Sequence, residues 1–198
     1  LTGTIDCSGM GFWVVAHHRS NSSFYSFHLT ATGVNSLPVI SAYVSEITNF
    51  NAGYMKISPD RSKLGLIASA GEYIALFSFN ANTGIVTDYK KLNDGGNTNA
   101  TYGLSFSPDN SKLYITDFSD SIIQFEINLP DVVSIRNSII TLKGEAKYNG
   151  ALQLGPDGKI YVAHDGEAQY IGVIEQPNLK GSACKYKANS IPLTGLCS

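Results

Sequence analysis

The chain of 198 residues lacks long apolar runs, clusters of basic residues and a large share of charged residues. Its longest apolar runs, such as GFWVVA and YIALF, reach about a third of the length that a membrane-spanning helix needs. The net charge is −2, so the basic surface that nucleic acid or an anionic membrane would attract is missing. We therefore expect no nucleic-acid partner and no membrane insertion.

Cysteine is also scarce, because the chain has only Cys7, Cys184 and Cys197. They form no CxxC pair and have no neighbouring histidine at the spacing of zinc ligands. Cys184 and Cys197 could close a small disulfide loop in an exported protein, or they could be buried thiols. No serine lies in a GxSxG motif, which would mark a hydrolase nucleophile. These absences predict no catalytic constellation, no metal site and no cofactor.

What the sequence does contain is a repeated module. Its members share an opening glycine, a Pro-Asp pair and a fixed order of apolar segments: GYMKISPDRSKLGLIASAGEYIALFSFNANTG (53–84), YGLSFSPDNSKLYITDFSDSIIQFEINL (102–129) and NGALQLGPDGKIYVAHDGEAQYIGVIEQPN (149–178). The Pro-Asp pairs recur at intervals of 49 and 48 residues, and a degenerate copy occupies 2–34. The period indicates a repeat architecture.

Each module reads as four strands joined by tight turns. Apolar and polar residues alternate with period two, which is typical of strands, and no stretch has an apolar stripe at helical spacing. The Pro-Asp pair predicts the first turn, and glycines at Gly33 and Gly84 predict a second turn that uses positive φ. The predicted fourth strands are PVISAYV, IVTDYKKL, VVSIRNSIITL and ACKYKANSIPL.

Four strands per 40 to 50 residues predict an all-β fold of β-propeller blades. A β-sandwich also has many short strands, but it does not repeat its turn chemistry at a fixed period. We expect one propeller domain or fragment with four blades, at about 2–48, 49–98, 99–147 and 148–198.

Four blades could close a ring, but both ends of the chain look cut within the pattern, so we expect a part of a larger propeller. An open arc would expose two apolar sheet faces. We therefore predict that the chain either closes or associates through these faces.

The ends of the second strands are the candidate site, because propeller ligands usually meet the face where these strands end. Aligned on Pro-Asp, these positions hold Ala68, Asp117 and His164, and the degenerate first copy holds Ala16 or His17. His17, Asp117 and His164 are therefore the candidate ligand-binding residues at the channel mouth. The alternative is that they are ordinary polar groups at strand ends.

Two further residue sets have structural explanations. The recurrent Asp60, Asp109 and Asp157 lack the second ligands of a calcium loop, so we expect them to form turns. Most aromatic residues should be packed in and between blades rather than form a carbohydrate platform: Trp13, Phe24, Tyr25, Phe27, Tyr73, Phe77 and Phe79. An exposed set of aromatic side chains on one rim would favour a lectin instead.

A family resemblance adds to this interpretation. The segments GFWVVAHHRSNSSFYSFHLTATGV, GYMKISPD, YGLSFSPDNSKLYITD, GALQLGPDGKIYVA and the closing PN, G and C.Y elements occur in order. Together they resemble the propeller of gliding-motility-associated bacterial surface proteins that are exported by the type IX secretion system. The resemblance covers nearly the whole chain and implies an extracellular module that binds a protein or surface glycan.

A shorter resemblance suggests an alternative function. KLYITDFSDSIIQFEI is similar to the repeat of surface-layer and lactonase-like propellers, and some of the latter open lactone rings. That similarity implies a hydrolytic propeller with a site at the channel mouth, which would use His17, Asp117 and His164 with a divalent metal. We expect the non-catalytic binding or scaffold role, with metal content as the discriminator.

Overall fold

The computed structural model describes residues 1–18, 21–43, 53–68, 73–93, 101–117, 120–144, 148–164 and 169–193. The described part of the chain is almost entirely antiparallel β-sheet, in four sheets that follow the four predicted modules. The chain divides into two compact units, Leu1–Asp94 with blades one and two, and Gly95–Ser198 with blades three and four.

The strands follow chain order within each blade. Blade one contains β1 Thr2–Ile5, β2 Phe12–His17, β3 Ser23–Thr30, β4 Gly33–Val34 and β5 Val39–Ala42. Blade two contains β6 Gly53–Ile57, β7 Lys63–Ala68, β8 Tyr73–Asn80 and β9 Ile85–Lys91. Blade three contains β10 Thr101–Phe106, β11 Lys112–Asp117, β12 Ser121–Glu126 and β13 Ile140–Lys143. Blade four contains β14 Asn149–Leu154, β15 Ile160–His164, β16 Tyr170–Ile174 and β17 Tyr186–Pro192.

The predicted turn chemistry is confirmed at the Pro-Asp pairs. The Asp109 carboxylate accepts hydrogen bonds from Ser111 N at 3.0 Å and Ser107 Oγ at 2.6 Å. The Asp60 carboxylate likewise accepts hydrogen bonds from Ser62 N and Ser58 Oγ. The amide and hydroxyl donors lower the pKa of both carboxylates despite their partial burial. These aspartates therefore act as turn residues.

The second predicted turn is confirmed as well. Gly33 and Gly84 both have positive φ, at 120° and 73°. Gly84 has an additional reason to lack a side chain, because a Cβ there would lie 2.6 Å from the ring of Trp13. Trp13 in turn donates from its indole nitrogen to Ala81 O at 2.9 Å. This contact joins the tryptophan of blade one to the turn of blade two.

The prediction that VVSIRNSIITL is one strand was wrong. Val132–Asn137 forms the short helix α1, and only Ile140–Lys143 pairs with β12. Asp131 caps the helix by accepting from Ser134 N at 2.8 Å, and Ile135 is buried beneath it. The N-cap hydrogen bond and the burial of one apolar side chain stabilise a short helix here, although the sequence pattern predicts a strand. A short 3-10 helix, Gly181–Cys184, likewise replaces the start of the predicted final strand.

In each unit, one face of the first blade packs on one face of the second blade. We call the packed face of the first blade its back face and the packed face of the second blade its front face, and the opposite faces are named accordingly. In the first unit this core joins Trp13, Val15 and Phe24 to Leu64, Leu66 and other side chains of blade two. In the second unit it joins Tyr114 and Ile122 to Leu152, Ile160, Val162 and Ile174. Most of the aromatic side chains predicted to be core are confirmed as buried: Trp13, Phe24, Phe77 and Phe79.

The front face of blade one is apolar and exposed. Phe12 is 51% exposed, Val34 61% and Ile40 58%. Ile40 points to this face because the next residue, Ser41, points the other way and accepts from Val86 N of blade two.

Candidate functional site

The sequence-predicted site residues stand at the ends of the second strands. β2, β7, β11 and β15 end at His17, Ala68, Asp117 and His164, respectively. The prediction that these residues stand at strand ends is therefore confirmed, and their roles can be compared residue by residue.

His17 lies on the back face of blade one, since it alternates with the core residues Trp13 and Val15. Its Nε2 is 2.7 Å from the hydroxyl of Tyr43, and its ring packs edge-on against Phe24. Burial, followed by the nearby charge of His18, lowers the pKa of His17 to about 4. His17 is thus a neutral side chain that covers an aromatic cluster between blades one and two.

The side-chain directions also resolve which residue of blade one matches Ala68. Leu64 and Leu66 lie on the front face of blade two, so Ala68 belongs to that face too. In blade one the residues on the front face are Phe12 and, by alternation, Ala16. Ala16 is therefore the equivalent of Ala68, and His17 is one residue beyond it with the opposite orientation.

Asp117 lies on the front face of blade three. The preceding Thr116 points to the back, where its hydroxyl donates to Gly150 O of blade four at 2.7 Å. Asp117 is 8% exposed, and its Oδ1 accepts from Ser121 N at 3.3 Å across the turn between β11 and β12. The carboxylate therefore helps to close its own turn.

His164 lies on the front face of blade four, directed towards blade three. It alternates with Ile160 and Val162, which belong to the core between these two blades. Its Nε2 donates to Ala188 O at 3.0 Å, which leaves Nδ1 as the acceptor of the neutral ring. Nδ1 is buried and has no hydrogen-bond partner among the described residues.

Within the second unit, Asp117 and His164 are not directed at a common point. Asp117 points away from blade four, whereas His164 points from blade four towards blade three. His17 belongs to the other unit and is bonded to Tyr43. Within the described ranges, no group of three or more His, Cys, Asp or Glu side chains could hold a metal ion.

Sequence reasoning missed a polar strap between blades three and four. The strap, residues 177–181, crosses from β16 to the short 3-10 helix, and its Pro177 O accepts from the Tyr114 hydroxyl at 2.8 Å. Gln124 donates to Leu179 O at 2.9 Å and accepts from Gly181 N at 2.8 Å. Two of the closing elements of the family resemblance, PN and G, thus lie in a segment that joins blades.

The thiols have different surroundings. Cys184, beside the strap, is a buried free thiol whose pKa is raised by burial. Cys7 is free and exposed, and Cys197 lies outside the described residues. The buried-thiol alternative therefore holds for Cys184 in this structure.

A cavity of about 370 Å³ lies in the first unit, beside β1 and β6. It is lined by Leu1, Thr2 and the strand segment from Gly53 to Lys56. Burial lowers the pKa of Lys56 to about 8, and its ammonium lies 5.5 Å from the centre of the Tyr54 ring. The sequence offered no signal for this lysine, because its pattern is that of any strand residue.

A third feature that the sequence did not reveal is the exposure of three tyrosines in the second unit. Tyr102 is 48% exposed, Tyr148 55% and Tyr170 38%. They stand at the start of β10, immediately before β14 and at the start of β16. Because antiparallel strands alternate in direction, all three lie at the end of the unit where β11 and β15 finish.

Comparison with known proteins identifies the fold. No protein-family model and no curated protein matches the chain. Among solved structures, it is similar to a putative 6-phosphogluconolactonase from Bacteroides uniformis, with 16% identity and a TM-score of 0.57 over 97% of this chain and 55% of that one. The WD40 repeats of RRP9 match with 16% identity and a TM-score of 0.56, over 89% and 48%.

A third similar structure is a calcium-binding protein, regucalcin, from Agrobacterium tumefaciens. It has 14% identity and a TM-score of 0.51, over 81% of this chain and 51% of that one. The chain thus spans about half the length of these structures. At these identities the similarity shows the fold alone, and that fold is the β-propeller predicted from the repeats.

No helix among the described residues is long and apolar enough to cross a membrane.

Proposed function

We propose that the chain is a non-catalytic binding and scaffold part of a β-propeller in a secreted or cell-surface bacterial protein. The observation that carries this proposal is the division of roles at the ends of the second strands. Each of the three residues makes a hydrogen bond: His17 with the Tyr43 hydroxyl, Asp117 with Ser121 N, and His164 with Ala188 O. These polar groups support the framework, and three large tyrosine rings are exposed in the second unit. Exposed aromatic rings suit recognition.

The association with adhesion, gliding motility or type IX secretion is the finer part of the proposal. It is supported by the resemblance of the repeated segments to that family. It is also consistent with the strap, where the hydrogen bonds of Pro177, Leu179 and Gly181 give those family-like residues a structural role. A family can retain such a framework while its exposed rim varies with the ligand.

The test is binding of the fluorescently labelled chain to intact cells of the source bacterium. A surface-binding module binds saturably and is displaced by an excess of the unlabelled chain. A chain that shows no saturable binding to cells, to shed surface material or to secreted proteins of that bacterium would overturn the proposal.

The alternative function is a lactonase-like or other hydrolytic propeller. It is supported by the fold that the chain shares with a putative 6-phosphogluconolactonase and with the calcium-binding protein regucalcin, and by the burial of the Asp117 carboxylate. Such an enzyme would retain about one divalent metal ion per chain after purification and would open lactone substrates. Metal analysis and a lactone-hydrolysis assay therefore separate the two functions, with Asp117→Asn as the variant that should abolish hydrolysis only in the alternative.

A further inference from the structure

The cavity of about 370 Å³ beside β1 and β6 has a lysine in its wall, and we call it the lysine cavity. Its lining is Leu1, Thr2 and the strand segment from Gly53 to Lys56. Leu1 is 84% exposed, so the cavity reaches the surface of the first unit. Small-molecule sites usually have volumes of about 300 to 1,000 Å³, so a cavity at the lower end of this range suits a small ligand.

Lys56 lies on the back face of blade two, beside an aromatic ring. Met55 belongs to the core between blades one and two, so by alternation Tyr54 and Lys56 point to the opposite face of β6. The Lys56 ammonium lies 5.5 Å from the centre of the Tyr54 ring. An amine and a tyrosine ring therefore meet in the wall of the same cavity.

The neighbouring positions on this face are apolar. Lys56 pairs with Gly65 of β7, which pairs in turn with Leu76 of β8. Ile67, two residues further along β7, pairs with Tyr54. Ile67 and Leu76 are both buried. Apolar surroundings disfavour the charged form of an amine, and burial lowers the pKa of Lys56 to about 8.

Two other lysines share the back face of blade two. Leu64 is on the front face, so its neighbour Lys63 lies on the back face. Lys90 pairs with Leu76 and lies on the back face as well. A like charge does not stabilise an ammonium, so neither residue opposes the effect of burial. With a pKa of about 8, the Lys56 amine is neutral at pH 7 about 200-fold more often than an ordinary lysine.

A neutral lysine amine in an apolar site is a nucleophile for carbonyl groups. Its nitrogen attacks the carbonyl carbon of an aldehyde or ketone and forms a carbinolamine. Loss of water removes the carbonyl oxygen together with the two amine hydrogens and leaves a C=N bond. No electrons are exchanged, so the step needs no oxidant or reductant, and water reverses it. The apolar neighbours and the Tyr54 ring favour an uncharged carbonyl compound.

We propose that the lysine cavity binds small uncharged aldehydes and ketones and that Lys56 Nζ captures them reversibly as imines. This site goes beyond the proposed surface-binding function, because it concerns a small molecule and lies within the first unit. The chemistry requires only the amine of this chain and the carbonyl compound.

The test is reductive trapping of the purified chain at pH 7 with benzaldehyde and cyanoborohydride, followed by peptide mapping by mass spectrometry. Cyanoborohydride reduces the imine and so fixes a benzyl group on the amine that formed it. Lys56 should be labelled at least about tenfold faster than Lys63, which lies on the same face of the neighbouring strand. In urea the two lysines should react alike. The α-amino group of Leu1 lies in a separate peptide and is measured separately.

Binding before reaction is tested by concentration and by competition. The labelling rate of Lys56 should saturate with benzaldehyde. Benzyl alcohol has a similar shape but forms no imine, so it should slow labelling of Lys56 and leave Lys63 unchanged. Lys56→Arg should remove the fast label, whereas the matched control Lys63→Arg should retain it. Circular dichroism of each variant verifies that it is folded.

Equal labelling of Lys56 and Lys63 in the folded chain would overturn the proposal. A Lys56 rate that rises linearly with benzaldehyde and ignores benzyl alcohol would overturn it too, because the lysine would then be reactive without a binding site. Either result would leave the surface-binding function standing, since binding to cells tests that function. Saturable trapping at Lys56 without cell binding would support this site and remove the surface function.

Discussion

The substitution Gln124→Leu offers a stringent test of how blades three and four are held together. Gln124 is 1% exposed and makes three hydrogen bonds, to Tyr114 Oη at 2.6 Å, to Leu179 O and from Gly181 N. Leucine fills a similar volume but makes none of them. A typical hydrogen bond contributes about 1 kcal/mol, so the loss should be about 3 kcal/mol, and more if the strap's polar groups stay buried.

For a chain of this size, each kcal/mol shifts Tm by roughly 2 to 4 °C, so Gln124→Leu should lower Tm by about 6 to 12 °C. The assay is thermal unfolding followed by far-ultraviolet circular dichroism. Tryptophan fluorescence is unsuitable because Trp13 lies in the other unit and reports on its unfolding. Hydrogen exchange should show the largest loss of protection in the strap. Gln153→Leu, at an exposed glutamine of the same unit, is the matched control and should change Tm little. A Gln124→Leu protein with an unchanged Tm would refute the reasoning.

Further predictions concern pH, a turn, a glycine and an open face. Burial lowers the pKa of His17 from 6.5 to about 4, so the free energy of unfolding of the first unit should decrease as pH falls from 6.5 towards 4. Urea titrations followed by Trp13 fluorescence measure this dependence on pH, and His17→Gln should weaken it. Asp109→Ala should lower the free energy of unfolding in urea by roughly 1 kcal/mol, and added calcium should not change this result. A calcium-dependent Tm of the unsubstituted protein would contradict the turn role. Gly103→Ala should be strongly destabilising in the same assay, because its Cβ would collide with backbone atoms Gly150 O and Leu152 N; unchanged stability would show that the strands can separate. Ile40→Lys should reduce self-association in light scattering if the exposed front face of blade one mediates it, and an unaltered mass distribution would exclude that face.

The strand pattern could be predicted because local chemistry determines it. The pairs Pro59-Asp60 and Pro108-Asp109 mark the same turn in successive blades, and Gly84 marks the next turn. The helix Val132–Asn137 was missed because its cap, Asp131, and its single buried residue, Ile135, compete with an equally plausible strand pattern.

The candidate site could be predicted only in part, because side-chain direction depends on register. His17 was placed with Asp117 and His164 because blade one has no Pro-Asp pair to anchor the alignment, and the structure shows that Ala16 is the equivalent residue. The strap could not be predicted either, because its residues that bind Gln124 are separated from that glutamine by more than 50 residues. The exposure of Tyr148 likewise depends on packing between blades, which no local pattern reveals.

The location of the protein on the cell surface is the most direct measurement for a surface-binding propeller. Intact cells of the source bacterium would be treated with proteinase and probed with an antibody against this chain, beside a cytoplasmic marker. A surface module predicts loss of the antibody signal while the marker persists. A signal that stays protected until the cells are lysed would contradict the proposed surface function.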